Sequence, residues 1–463
     1  MIRTAQVKRS FFYAIPFALL ASMSAHATNG YFTIGYGPSS RGVAGAVTAL
    51  PQDAMIAATN PAGMSEVGER IDFSVNLFSP IREATTNFGF FGPGSGFQQT
   101  QESDNDYFIL PNFGYTKKIN DQLTAGITIY ANGGLNSEYQ PDPNTGGFNL
   151  FGGTSQLGVD LKQLIFAPTL AYKPNKNHSF GASLLIAYQS FKALGLQNFC
   201  SLKGDGSCDP TNPATIGTEA ANDGLTNQGT DTSWGAGLRL GWVGKVSDNV
   251  TLGAAYSTKV YMNEFDKYDR LFAEDGDFDI PANWSLGIAV KATPKLTITA
   301  DVQHIDYDGV DSISNNGPSI NGGGAAQNFI NPFAEGQGFL GANNGLGFGW
   351  DSITVLKLGA VYEYDNEWTW RFGLSHGDGP IDDDQLAFNV LATAVVETHA
   401  TVGFRHRPAG ATDHEWNVAY MHAFNNDVRG PFPTPFGGTP GAGTQTRLEM
   451  YQHAFEVGYS WKF

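Results

Sequence analysis

The sequence predicts an all-β fold: a transmembrane antiparallel β-barrel of about 14 strands whose lumen is plugged by a small N-terminal hatch. Three observations predict it: strict alternation at the C-terminus, repeated alternating segments from Arg70 onward, and a non-alternating segment before them. From Leu448 to Phe463, apolar and aromatic side chains fall on one face of a strand and small or polar ones on the other. A soluble β-sandwich is the alternative, but a final outward aromatic is typical of outer-membrane barrels.

The composition fits one large β structure. The 463 residues include 57 glycines, 13% aromatic residues and two cysteines, and 41% of the residues are hydrophobic. Beyond the N-terminus no run approaches the roughly 20 apolar residues of a membrane-spanning helix, whereas a barrel strand needs only every second residue to be apolar. The formal net charge of −17 argues against nucleic acid as a partner. Acidic loops could hold divalent cations that bridge lipopolysaccharide, or could simply be solvated.

Residues 1–27 are predicted to be a secretory signal peptide. Basic residues lie close to the start, an apolar run extends from Phe11 to Leu20, and Ala25-His26-Ala27 offers a small-residue cleavage site. An anchoring helix is the alternative, although the apolar run is short for one. In the oxidising compartment that follows, Cys200 and Cys208 are expected to form a disulfide within an external loop. Metal binding is the weaker interpretation of these cysteines.

Residues 28–67 do not alternate and are predicted to form the hatch, which leaves residues 68–463 for the barrel. A barrel of about 14 strands has a lumen too wide for its own side chains to fill. Small residues dominate the N-terminal segment and permit close packing against other backbone. Asn60 followed by Pro61 favours an extended residue and then a turn, in which Asn60 can cap neighbouring backbone groups. An ordinary turn before the first strand is the alternative.

Some of the alternating segments and their connections carry special signals. The third segment, residues 122–138, contains Gly133-Gly134, which predicts a bulge or break in the ladder, or else only a barrel corner. The two longest connections, residues 197–230 and 309–350, are predicted to be external loops. The second of these carries aromatic residues that would form an apolar vestibule or merely pack the loop, namely Phe329, Phe333, Phe339 and Phe348.

Several short motifs make the chain resemble a known family. They are Ser39-Ser40-Arg41-Gly42, Gly45-Ala46, Asp53-Ala54, Asn60-Pro61-Ala62-Gly63-Met64, and the stretch from Gly126 to Tyr139 within a third strand that runs from Leu123 to Tyr139. This ordered set resembles the N-terminal hatch and kinked third strand of the FadL/TodX family, outer-membrane transporters for long-chain fatty acids and aromatic hydrocarbons. The resemblance covers the whole mature chain.

The resemblance implies roles for particular residues. Hatch residues would be Ser39, Arg41, Gly42, Asp53, Asn60, Pro61 and Ala62, and the lateral opening would lie at Asn132, Gly133 and Gly134. Ligand would be caught among external loops, pass to an inner pocket, and leave sideways into the membrane after the hatch rearranges. No energy source, cofactor or metal is implied. The expected partners are a hydrophobic small molecule, outer-membrane lipid with lipopolysaccharide, and the barrel-assembly machinery, and the protein is expected to be a monomer.

Candidate ligand contacts come from the mature N-terminus and from strand phase. Tyr31, Phe32 and Ile34 are predicted to contribute to the inner pocket or its gate. Phase places four cations inside the barrel, of which Arg239 and Lys259 are the chosen candidates for a carboxylate and Lys357 and Arg405 are the others. The alternative is that these cations pair with the inward acids Asp301, Glu363 and Glu456.

Two other function classes remain as alternatives. A general diffusion porin would conduct ions steadily and tolerate loss of residues 28–64. An outer-membrane enzyme would need convergent catalytic groups, for which His304 with Asp306 and His376 with Asp378 are the available pairs. No serine motif accompanies either pair, so catalysis is not predicted.

Overall fold

The structure, a computed structural model, is a closed antiparallel β-barrel. It describes residues 29–87, 98–208, 218–317, 338–431 and 445–463, so the predicted signal peptide lies outside the described residues. Neighbouring long strands follow chain order around the wall, and the last strand pairs with both the preceding strand and the first. This last pairing closes the sheet, so that no long strand is left with a free edge.

In the described residues sixteen strands form the sheet, and fourteen of them are the long strands of the wall. Their bounds are β1 (Arg70–Asn87), β2 (Gln98–Glu102), β3 (Phe108–Lys118), β4 (Leu123–Tyr139), β5 (Leu157–Asn175), β6 (His178–Leu194), β7 (Asp231–Lys245), β8 (Val250–Ser257), β9 (Tyr261–Met262), β10 (Asn283–Thr293), β11 (Leu296–Ile305), β12 (Ile353–Glu363), β13 (Trp368–Gly377), β14 (Thr398–His406), β15 (His414–Pro431) and β16 (Gln445–Lys462). The two short strands, β2 and β9, are additions to β1 and β7. The predicted fold class is therefore confirmed.

The prediction of one continuous strand over residues 249–262 is wrong. β8 ends at Ser257, opposite Arg239 of β7, and β9 resumes with Tyr261 opposite Ala236. The pairing register shifts by one residue between these two points. Because strand side chains alternate between faces, the shift means that inward and outward positions assigned up to Ser257 do not apply to the residues after it.

The outer face of the barrel is apolar and the inner face is polar. On β16, Tyr459 and Trp461 are 39% and 49% exposed, whereas Gln452 and Glu456 on the other phase are fully buried. The predicted C-terminal alternation is confirmed. Large apolar side chains are exposed on the other strands as well, among them Leu238 and Phe372. A soluble protein rarely exposes so large an apolar surface, whereas a bilayer requires one.

The N-terminal segment, residues 29–67, contains three short helices, Pro38–Arg41, Ala54–Ala58 and Pro61–Glu66. Further short helices lie in the connections, at Pro143–Thr145, Gln197–Lys203, Glu219–Asn222, Asp266–Tyr268, Ala273–Gly276, Tyr307–Gly309, Asp311–Ser314 and Leu386–Asn389. No helix within the described ranges is long and apolar enough to cross a membrane. The short turns and the C-terminal residue Phe463, whose amide donates to the carbonyl of Glu69, lie at one end of the barrel, which outer-membrane topology assigns to the periplasm, and the described parts of the long loops lie at the other.

Candidate functional site

The N-terminal segment folds through its own capping groups. The carboxylate of Asp53 accepts a hydrogen bond from the amide of Met55 at 3.0 Å and starts one short helix. The side-chain oxygen of Asn60 accepts from the amide of Ala62 at 3.2 Å, with Pro61 in the first helical position, where its missing N–H costs nothing. The short helices therefore begin where the sequence places Asp-Ala and Asn-Pro.

Hydrogen bonds tether this segment to strands around the whole barrel. Nε of Arg41 lies 2.7 Å from a carboxylate oxygen of Glu456 on β16, and both side chains are buried. The amide of Thr48 donates to Asp301 on β11 at 2.8 Å. The side-chain amide of Asn60 donates to the carbonyl of Trp242 on β7 at 3.0 Å. Further bonds join the segment to β1, β4, β10 and β14, through Asp72, Thr128, Ser285 and Thr401. The segment thus lies inside the barrel and crosses its lumen.

The wall is interrupted between β3 and β4. Among the described residues, the ladder between these strands runs from Lys118 opposite Thr124 to Asn112 opposite Tyr130, where it stops. β3 continues to pair with β1 as far as Phe108, and β4 continues to pair with β5 as far as Tyr139. Beyond this interruption, the amide of Asp104 donates to the carbonyl of Glu138 at 2.8 Å, and the amide of Glu138 donates to the hydroxyl of Ser103 at 3.0 Å. The space between residues 105–111 and 131–137 is called the side gap below.

β4 changes character at the lower edge of the side gap. From Ala131 to Ser137 its residues are buried on both phases, unlike the alternating pattern of other long strands. The register to β5 shifts between Ala131 and Gly133, which leaves Asn132 as a bulge. Burial on both phases follows if this half of β4 is displaced into the lumen, and bulges are a usual means of bending a strand.

The first described residues of the chain pair with this bulge. The amide of Thr33 donates to the carbonyl of Asn132 at 3.2 Å, and the amide of Gly134 donates to the carbonyl of Tyr31 at 3.3 Å. Phe32 and Gly133 form an antiparallel bridge. A Cβ atom at Gly133 would collide with the carbonyl oxygen of Tyr31, so glycine is required for this close approach. The N-terminus occupies the place along β4 that β3 vacates.

Apolar side chains from both edges of the side gap, Phe108 and Leu110 on β3 and Ala131 on β4, are buried together with other apolar side chains. They form one buried cluster, made of Ile34, Ala44, Phe78, Phe108, Leu110, Ala131, Leu164, Met421 and Ala454. Above the gap, the buried guanidinium of Arg82 donates to the backbone carbonyls of Asn105 and Asn136, one on each side. The gap therefore has an apolar lining, a lower edge made of strand pairing, and an upper edge held by Arg82.

A polar pocket lies between the N-terminal segment and the wall strands β7, β10, β11 and β12. Its lining includes Phe32, Tyr36, Thr48, Arg239, Asp301, Gln303 and Lys357. Arg239 donates to the hydroxyl of Tyr130 at 2.9 Å and to the carbonyl of Ala57 at 3.2 Å, and Nζ of Lys357 donates to Gln303 at 2.6 Å. Two buried cations beside one acid could attract an anionic head group.

A second cavity, wholly different in character, lies among the long loops. This outer groove is lined by apolar side chains, including Val159, Phe191, Phe199, Leu225, Phe272, Leu340, Phe348, Phe388 and Leu391. The N-terminal segment contacts the long connection that follows β11 through Tyr31. The centroid of its ring lies 5.6 Å from that of Tyr307 and 6.0 Å from that of Trp350. Phe348 lines the groove as the vestibule hypothesis expects, whereas Phe329 and Phe333 lie outside the described residues.

The structure separates the other candidates. Lys259, chosen with Arg239, lies beyond the end of β8 and forms an ion pair with Asp279 at 3.2 Å. Arg405 donates to Thr369 at 2.6 Å near Glu415. Cys200 and Cys208 are joined, with their Cα atoms 5.7 Å apart. His304 and His376, from the two candidate pairs for an enzyme, hydrogen-bond to Thr354 and Thr398 on the neighbouring strands.

Sequence reasoning missed two features of the side gap. Arg82 looks like any inward cation of a first strand, and only the tertiary structure places it above the gap. Pro111 is a signal in the sequence that could have been used. It immediately precedes Asn112, where the β3–β4 pairing stops, and it has no N–H to donate to either neighbouring strand.

A closed barrel of fourteen long strands with an apolar outer face, crossed by its own N-terminal segment, defines a β-barrel of the Gram-negative outer membrane. The chain belongs to the family of outer membrane protein transport proteins (OMPP1/FadL/TodX), whose sequence profile matches residues 18–393. The resemblance to the FadL/TodX family and the predicted location in the outer membrane are thereby confirmed.

Individual relatives are distant. The chain is 22% identical over 315 residues to a long-chain fatty acid transport protein of Escherichia coli O6:H1, a match that covers 61% of this chain and 62% of the relative. Two solved structures share the fold: a Pseudomonas aeruginosa FadL homologue (TM-score 0.64, 17% identity, 94% of this chain and 100% of that one) and the P. putida toluene transporter TodX (TM-score 0.63, 18% identity, 93% and 99%).

Proposed function

We propose that this protein carries hydrophobic small molecules, long-chain fatty acids or hydrocarbons, passively across the outer part of the cell envelope and releases them sideways into the membrane. The observation that carries the proposal is the side gap, where β4 leaves β3 and pairs instead with the N-terminus. The similarity to a long-chain fatty acid transport protein and to a toluene transporter supports the same cargo class.

The proposed route begins in the outer groove, whose apolar lining suits a hydrophobic molecule that reaches the cell surface. It continues past the aromatic contacts of Tyr31 to the region between the polar pocket and the apolar cluster. It ends in the side gap, whose lining can accept an alkyl chain or an arene. No step requires an energy source, because a solute that partitions into lipid moves down its own gradient.

In this proposal the N-terminal segment is the hatch, and residues 31–33 are its moving part. Their hydrogen bonds to Asn132 and Gly134 hold the bulge in place, so release of these bonds would open the path from the lumen to the gap. The bonds of Arg41, Thr48 and Asn60 hold the rest of the segment in the lumen and block a straight aqueous channel. Arg239 and Lys357 would receive a carboxylate, whereas Lys259 is engaged by Asp279.

The lateral route is tested by filling the side gap. Ala131 is buried in its lining, so Ala131→Phe is expected to obstruct cargo and abolish uptake of radiolabelled palmitate and naphthalene by cells that produce the protein. Ala300→Phe, on the lipid-facing phase of β11, is the matched control and should take up both compounds like the parent protein. Heat-modifiable migration in SDS gels checks that each variant is folded.

Full uptake by a folded Ala131→Phe variant would refute the lateral route. Steady ion conductance by the parent protein in planar bilayers would instead favour the general diffusion porin. The hatch proposal expects low conductance, because the N-terminal segment crosses the lumen.

A further inference from the structure

We propose that Asn76 of β1, together with Arg41, binds the polar end of an amphipathic cargo at the inner mouth of the side gap. The cargo class that fits is a long-chain molecule with a neutral head group that both donates and accepts a hydrogen bond, such as a protonated carboxyl or a hydroxyl. This inference rests on the proposed function and deepens it.

Asn76 lies level with the lower edge of the side gap. Its partner on β3 is Leu110, which belongs to the apolar lining and lies just past the last pair between β3 and β4. Two residues further along β1, on the same face, is Phe78, another member of that lining. The side chain of Asn76 therefore stands at the boundary between the polar lumen and the apolar gap.

The amide group of Asn76 is unusual for a buried polar group. The residue is fully buried, yet neither its nitrogen nor its oxygen has a hydrogen-bond partner in the part of the chain that the structure describes. Buried polar groups are nearly always paired, and an unpaired one is costly. Other inward asparagines nearby obey the rule: Asn112, for example, donates to Glu456 at 2.9 Å. Asn76 thus retains an unused donor and an unused acceptor.

A second unused donor lies close by. On the opposite side from Leu110, Asn76 pairs with Glu456 of β16, and Glu456 binds Nε of Arg41 at 2.7 Å. The Nη1 atom of Arg41 is buried and also lacks a partner among the described residues. Asn76 and Arg41 therefore flank the same carboxylate and can both offer N–H groups to a head group placed between them.

The surroundings favour a neutral head group over an anion. Glu456 already accepts hydrogen bonds from Arg41, Ser74 and Asn112, which balances its charge but leaves a carboxylate beside the site. An anionic cargo would meet that carboxylate in a medium of low dielectric, where like charges repel strongly. A protonated carboxyl or an alcohol matches the donor and acceptor of the amide without this penalty. A bare alkane offers nothing to either atom.

The test compares three cargoes of equal chain length: palmitic acid, hexadecanol and hexadecane, measured for uptake by cells producing the full chain. The parent protein is expected to prefer the acid and the alcohol. Asn76→Leu should lower uptake of these two about three- to tenfold, the usual worth of one lost hydrogen bond, and leave hexadecane unchanged. Asn76→Ser, which keeps a donor and an acceptor, should retain part of the preference.

Asn112→Leu is the contrasting variant in the same layer. Because Asn112 is already bonded to Glu456, its loss should lower thermal stability and reduce uptake of all three cargoes equally. Asn76→Leu should not lower stability, since it removes unpaired polar atoms. If Asn76→Leu and Asn76→Ser keep the parental ratio among the three cargoes, the head-group site is refuted and the transport proposal stands. If the parent protein takes up none of them, the transport proposal itself fails.

Discussion

Gly133→Ala is the sharpest perturbation of the contact between the N-terminus and β4. A Cβ atom at Gly133 would overlap the carbonyl oxygen of Tyr31, so residues 31–33 must move away from the bulge. The two hydrogen bonds that then break join Thr33 to Asn132 and Tyr31 to Gly134. At about 0.5–1.5 kcal/mol each, their loss would destabilise the docked N-terminus by about 1–3 kcal/mol. The ratio of docked to undocked N-terminus would fall about 5- to 150-fold.

Hydrogen exchange measured by mass spectrometry reads this ratio directly, because local opening controls exchange of the protected amides. Peptides that cover residues 31–36 and 132–136 should exchange faster in Gly133→Ala by the factor given above, while peptides from the rest of the wall keep their rates. Conductance in planar bilayers should stay low, because the bonds of Arg41, Thr48 and Asn60 still hold the rest of the N-terminal segment in the lumen. Gly379→Ala is the control, because a Cβ there has no neighbour closer than 3.9 Å. Equal exchange in all three proteins would refute the assigned role of residues 31–33.

Two other predictions concern the hatch and an external loop. Asn60→Ala removes the side-chain bonds to Thr48, Trp242 and Ala62 and should destabilise the packing of the N-terminal segment by about 2–4 kcal/mol, seen as faster exchange over residues 48–66 with an unchanged barrel. Burial, with Asp279 close by, raises the pKa of Asp277 to about 7. The folded loop then binds a proton more tightly than the unfolded loop, so its stability should fall as pH rises from about 4 to 7 and level off above that range. Exchange of residues 264–282 at pH 5 and pH 8, corrected for intrinsic rates, checks the sign, and Asp277→Asn should remove the dependence.

The barrel could be predicted because its signal is local. Period-two alternation, as in β16, sets the face of each side chain without knowledge of the partner strand, and a closed sheet follows from many such segments. The caps at Asp53 and Asn60 are equally local, since each acts on an amide two residues away. Lys259 marks the limit of this reasoning. If the alternation of β8 is continued past Ser257, it predicts an inward Lys259. The structure instead shifts the pairing by one residue there and places Lys259 in a loop beside Asp279.

The side gap could be predicted only in part. Gly133-Gly134 indicates a bulge, but no local pattern says that β3 stops pairing at Asn112 or that Phe32 takes its place. Asn76 shows the same limit more sharply. In the sequence it is one inward polar residue among several on β1, and its unused donor and acceptor exist only because of what packs around it.

The N-terminal segment and the side gap depend on the same backbone groups. A strand that leaves its neighbour inside a membrane exposes amides and carbonyls that lipid cannot satisfy, at a cost of several kcal/mol for each group. Here part of that need is met by Tyr31 and Thr33, which bond to Gly134 and Asn132. Moving the N-terminus away from β4 therefore removes the partners that make the gap tolerable, and the bulge must find others or shift toward β3. Because the N-terminal segment supplies these partners, the side gap must change when residues 31–33 move. In the proposed route, the gate at residues 31–33 and the exit at the side gap therefore respond to cargo together.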